Sequence, residues 1–215
     1  MTTPPSICPP PLPPTPPLPH GQWRTRRAWT VVTVGALVLI LLAGGAVWWL
    51  TRDDDSSPLA GRPRVTDTAA GLSYAVPEGW KRNDGKDLIQ AFTSSITTKG
   101  PDGHGGSAVL AGRGGPVDES ALQQRTETAA RSNAEFFYPD GKSTVEESRP
   151  ATVSGRSAYT VVLSTRDDSG RAGRMRLTIV AQTGDRSAFL LGVTESPEPA
   201  DSREVDAVLA SAAVG

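Results

Sequence analysis

Residues 159–193 read YTVVLSTRDDSGRAGRMRLTIVAQTGDRSAFLLGV. Three runs within this stretch alternate apolar and polar side chains with the two-residue period of a half-buried strand. Tyr159, Val161 and Leu163 share one face of the first run. Met175, Leu177, Ile179 and Ala181 share one face of the second, with Arg174, Arg176 and Gln182 opposite. Phe189, Leu191 and Val193 repeat the pattern in the third. The joins, residues 166–173 and 183–186, are short and rich in Gly, Asp and Ser, which suits hairpins. The stretch therefore reads as an antiparallel meander, and its alternation predicts one face covered and the other at least partly wet.

Working outward, residues 118–138 read as a helix. Asp118 and Glu119 favour its amino-terminal dipole, and Ser120 with Gln123 has capping-box spacing. Leu122, Thr126, Ala129, Ala130, Asn133 and Phe137 form a narrow, partly polar stripe suited to shallow packing on a sheet. Pro139-Asp140-Gly141 should end the helix. A last helix is expected from Asp201, again with capping-box spacing to Glu204, and with Val205, Val208, Leu209 and Ala212 on one stripe. Upstream, residues 72–76 alternate around Leu72, Tyr74 and Val76, and Pro77-Glu78-Gly79 turns the chain into Trp80. Residues 88–97 and 107–112 read as two further strands. Strands in a run with helices inserted or appended argue for an α+β domain over residues 70–215, an antiparallel sheet covered by helices.

The segment LSYAVPEGWK, Leu72 to Lys81, resembles the opening of PsbP/Mog1-like domains, including the LpqN-type lipoproteins of mycobacteria. In these an aromatic-bearing first strand runs into a Pro-x-Gly-Trp turn. The resemblance implies an α/β/α sandwich with a middle helix, a late meander and a closing helix. It also implies an extracytoplasmic setting of the actinobacterial envelope type. Members of this group serve unrelated roles, so the resemblance carries no particular activity.

The chain before residue 70 has a different character. It has 215 residues, with 22 basic and 23 acidic side chains and a formal charge of −1, which gives no global reason to expect a nucleic-acid partner. Residues 28–50, AWTVVTVGALVLILLAGGAVWWL, carry no charge. As a helix they would span roughly 34 Å, enough for a hydrocarbon core of about 30 Å. Trp29 stands at one end and Trp48 and Trp49 at the other, where indoles settle among headgroups. Arg24, Arg26 and Arg27 precede the stretch with no acid before them, whereas Arg52 and the run Asp53 to Asp55 follow it. A single-pass signal anchor is expected, with the amino terminus in the cytoplasm and the carboxy-terminal domain outside. The bilayer is thus the expected partner of residues 28–50. Cleavage after the apolar stretch would meet Trp48-Trp49-Leu50, a poor context for a signal peptidase. Lipidation there would need a cysteine, and the only one, Cys8, lies before it.

Residues 1–27 include PPPLPPTPPLP, which populates polyproline II and buries nothing. This tail is too short to fold as a kinase, a DNA-binding domain or an anti-sigma module. Residues 51–69 read as a flexible spacer. The Asp53 to Asp55 run lacks calcium-loop spacing, because Arg64 falls where a loop starting at Asp53 needs its last carboxylate.

The search for chemistry returns no catalytic, cofactor-binding or metal site. One cysteine and two histidines, His20 and His104, cannot build a metal cage. His104 lies in a glycine-rich loop near Asp102 and Ser107, without a nucleophile elbow. Glu146-Glu147 and Asp167-Asp168 are sequence neighbours, which on a strand point to opposite faces, so neither is a facing pair. Arg156, Arg171, Arg174 and Arg176 are the basic residues most able to gather on the meander, where a patch would meet anionic headgroups or polymers; solvated charge that protects a strand edge is the favoured reading, since the domain carries more acids than bases. The expectation is a non-catalytic binding or accessory module in the cell envelope, with an envelope protein or small ligand as partner and no cofactor. The alternatives are a tethered hydrolase and a carrier using an apolar pocket near Tyr74 and Trp80.

Overall fold

The computed structural model describes residues 57–83, 89, 91–100, 106–184, 186–195 and 198–215. The expected tail, membrane span, Asp53 to Asp55 run, Cys8 and His104 lie outside the described residues. Among the described residues no helix is long and apolar enough to cross a membrane.

The meander is present. It comprises β7 (Arg156–Arg166), β8 (Ala172–Ala181) and β9 (Ser187–Thr194), all antiparallel. Its register sets Tyr159 beside Ile179, Val161 beside Leu177 and Leu163 beside Met175, while Leu177 faces Leu191. The predicted apolar faces therefore coincide across all three strands, as a buried face requires. Four more strands complete a seven-stranded sheet in the order β3-β4-β5-β9-β8-β7-β6. They are β3 (Lys81–Asn83), β4 (Phe92–Lys99), β5 (Gly106–Gly114) and β6 (Lys142–Val153). The sequence reading anticipates β4 and β5 but misses β3 and β6. No residue of β6 is buried at the sheet edge and most are polar, so it carries little hydrophobic signal. A bulge between Val145 and Glu147, with Pro150 beyond it, makes this edge a poor template for another strand.

The spacer expected over residues 51–69 requires correction. Arg64–Asp67 form β1, which pairs with β2 (Leu72–Ala75) and through it with β10 (Ala213–Val214) in a second, three-stranded sheet. Val65 and Asp67 are buried. A strand of four residues is stabilised by its partners rather than by its own pattern, which is why Arg-Val-Thr-Asp looks like linker when read alone.

Helix α1 (Leu122–Phe137) lies on the face of β7 and β8 that carries the meander's apolar side chains. Its buried residues are Leu122, Thr126, Ala130 and Ala134. Asn133, expected on the stripe, instead donates to the Ala129 carbonyl at 2.8 Å. The capping box is not formed, because Ser120 falls inside a 3-10 turn, Glu119–Ala121, and lacks the extended backbone an N-cap needs. Helix α2 (Pro199–Ala210) starts two residues before Asp201, with Glu198 at its N-cap and Pro199 in its first turn. There too the expected box is absent.

α2 and the small sheet cover the opposite face of the large sheet. Ile96, Val109, Ala111, Ala188 and Leu190 meet Val65, Leu72, Tyr74, Trp80, Val205, Val208 and Leu209 there. The expectation of a partly wet face fails at the centre of the sheet, where β9 is buried on both sides. Its unbroken apolar run, Ala188 to Val193, is the sequence signature of that double burial. Close approach of α2 depends on Gly192, since a Cβ there would lie 2.4 Å from Val205 Cγ1. The Pro-Glu-Gly turn is made as expected, with Gly79 at φ +80°.

A buried carboxylate and two polar hollows

Asp67 closes the turn between β1 and β2 and is 5% exposed. Its Oδ1 accepts from the Ala70 amide at 2.9 Å. Its Oδ2 accepts from Ser94 Oγ at 2.6 Å and Thr93 Oγ1 at 2.5 Å. Tyr74 Oη lies 2.9 Å from Ser94 Oγ. Burial pushes the Asp67 carboxyl up, but the hydroxyls of Ser94 and Thr93 and the amides of Ala70 and Ala69 outweigh it and hold the pKa below the usual range. Burial pushes the Tyr74 phenol up to about 12. A carboxylate with its lone pairs occupied, beside a phenol that stays protonated, is built to join the two sheets. Nothing along the run Arg-Val-Thr-Asp marks Asp67, because its burial comes from the strands that pair with and cover β1.

The four meander arginines form no common patch. Arg174 Nη1 and Arg176 Nη1 both donate to Asp206 of α2, at 2.8 and 2.9 Å. Arg174 also reaches Glu146 at 3.5 Å. Arg171 donates through its backbone N–H and Nε to Asp167, at 2.8 and 2.7 Å. Ser169 Oγ adds a third bond at 2.7 Å, and the Ser169 and Arg171 donors hold the Asp167 pKa down at about 2. Glu147 pairs with Arg149. These carboxylates are therefore neutralised on the spot, each by a neighbour in the fold. Of the four arginines, Arg156 alone has no carboxylate partner among the described residues.

Two concavities open at the ends of the meander. The first, about 210 Å³, lies below the end of α1 beside the β7–β8 hairpin, and is lined by Tyr138, Asp140, Asp167, Asp168, Arg171 and Glu195 among others. Its one guanidinium is tied to Asp167, so the hollow is acidic in balance. Burial, ahead of the smaller opposing effect of Thr165, pushes the Tyr138 phenol up. The second, about 440 Å³, lies at the other end of the strands, with Arg113, Arg156 and Arg186 on its walls.

The layered arrangement decides the fold. The domain has the PsbP/Mog1-like fold. It is similar to cyanobacterial PsbP from Synechocystis sp. PCC 6803, with 13% identity and a TM-score of 0.51, over 71% of this chain and 92% of that one. It is likewise similar to the Ran-binding protein Mog1p of Saccharomyces cerevisiae, with 10% identity and a TM-score of 0.51, over 72% and 95%. LpqN of Mycobacterium tuberculosis, involved in cell envelope biogenesis, matches with 12% identity and a TM-score of 0.48, over 71% and 84%. No family model and no curated protein matches the chain. In this PsbP/Mog1-like domain Trp80 is 8% exposed and Tyr74 fully buried. Both fill the core, and neither lines either concavity. The apolar pocket expected near them is occupied by Val205, Val208 and Leu209 of α2. Ser107, expected near His104, spends its hydroxyl on Thr194 Oγ1 at 3.1 Å. Among the described residues no group of three or more His, Cys, Asp or Glu could hold a metal ion.

Proposed function

We propose that the chain is a single-pass membrane protein whose carboxy-terminal domain stands outside the cytoplasmic membrane and acts as a non-catalytic binding or accessory module of the cell envelope. The observation that carries this reading is the uncharged stretch 28–50, with arginines before it and acids after it, followed by a PsbP/Mog1-like domain. The use of the same fold in Mog1p, a Ran-binding protein, supports a role in binding. So does the way the domain's titratable groups are spent on its own architecture: Asp67 joins the sheets and Asp206 pins α2.

Protease added outside intact cells tests the topology. Loss of a carboxy-terminal epitope, with a cytoplasmic control spared, is the expected result; survival of the epitope beside a cleaved external control overturns the orientation. Crosslinking in cells through the same domain should then recover a reproducible envelope partner, and turnover of a substrate by the purified chain would replace the binding role with a catalytic one.

A further inference from the structure

Arg113, Arg156 and Arg186 stand on three different strand ends. Arg113 is the penultimate residue of β5, Arg186 directly precedes β9, and Arg156 opens β7. The order β5-β9-β8-β7 brings these ends to one edge of the large sheet, around the hollow of about 440 Å³. All three side chains are exposed. Among the described residues the side chains of Arg113 and Arg156 make no hydrogen bond or ion pair within the fold. Arg186 makes only a long bond of 3.5 Å from Nε to the Thr183 carbonyl. Every other described arginine has a partner in the fold, as with Arg171, Arg174 and Arg176. The arginines left over are thus the ones that share a concavity, and the described side chains lining it include no Asp or Glu.

We infer that this hollow is a binding site for a phosphate group. Guanidinium forks match tetrahedral oxyanions with paired N–H donors, and arginines with no internal carboxylate keep those donors for a ligand. Three positive charges facing a recess suit a multiply charged anion better than a single carboxylate does. Thr68, Thr183 and Gln182 add neutral polar groups to the walls. The site does not rest on membrane anchoring, because its residues and their surroundings lie wholly within the folded domain. A soluble phosphate ester and a phospholipid headgroup share the recognising chemistry.

Calorimetric titration of the full chain in neutral detergent micelles with pyrophosphate tests the site. Saturable one-to-one binding is expected, with Arg156→Gln weakening it about tenfold and the triple change Arg113→Gln, Arg156→Gln, Arg186→Gln abolishing it. Because the Arg113 and Arg156 side chains are not used within the fold and Arg186 makes only one long bond there, circular dichroism of the variants should match the parent. Lys99→Gln removes the same charge at the end of β4, beside the opposite end of β5, and should leave affinity unchanged. Absence of saturable binding overturns the site, as does an equal loss in Lys99→Gln, which would mark general electrostatic attraction. Micelles carrying phosphatidylglycerol then separate the sources. Weaker apparent pyrophosphate binding through competition supports a headgroup, and unchanged binding supports a soluble phosphate ester.

Discussion

The indole Nε1 of Trp80 donates a 2.9 Å hydrogen bond to Glu204 Oε2. The bond joins the turn that follows β2 to the middle of α2. It explains how an indole is buried at the edge of the core without an unsatisfied donor.

Trp80→Phe should therefore keep much of the packing and lose the bond, for about 1–2 kcal/mol, whereas Trp80→Ala should cost about 3–5 kcal/mol. Urea unfolding followed by circular dichroism checks both, since the other tryptophans lie before the domain and complicate fluorescence. Equal losses in the two variants would mean the hydrogen bond is energetically silent.

Asp67 predicts an acid-sensitive domain. Its folded pKa is held below the unfolded value, so its contribution is fully present above the unfolded pKa and is lost as pH falls through the folded one. Asp67→Asn should cost about 1–3 kcal/mol at neutral pH. The gap between variant and parent should close progressively below about pH 4. Unfolding midpoints measured across that range read the effect, and a gap independent of pH would show that charge at Asp67 is irrelevant.

Asp206 holds two guanidinium groups at once, each with side-chain exposure of 18% or 27%. Asp206→Ala leaves both without their carboxylate and should destabilise by about 1–3 kcal/mol, with Asp206→Asn costing less. Because all three groups remain partly in water, raised salt should narrow the difference. Chemical denaturation in urea at low and high sodium chloride measures it.

Gly192→Ala places a methyl group against Val205 and Leu209 of α2. Overpacking of this kind costs about 1–3 kcal/mol. Amide hydrogen exchange should show the loss first in α2, and protection of α2 equal to the parent would remove Gly192 from its seating.

The parts of this domain that were legible in the linear chain are those whose burial is periodic. The face shared by Tyr159, Val161 and Leu163 repeats every second residue, and that of Leu122, Thr126 and Ala130 every fourth, so each element announces itself before it has a partner. β1 and β6 do not. Arg64 to Asp67 and Lys142 to Val153 are strands because β2 and β7 offer them ladders, and no local pattern records that offer. The arginines divide in the same way. Composition shows that they are many, but charge is neutralised through space. Asp206 comes to Arg174 and Arg176 from another element, while Arg113, Arg156 and Arg186 converge from three strand ends with no acid among the described residues that line their hollow. Periodicity is a property of neighbours along the chain and sets the elements. Pairing, burial of Asp67 and convergence of charge depend on distances that exist only once the sheets have closed over one another.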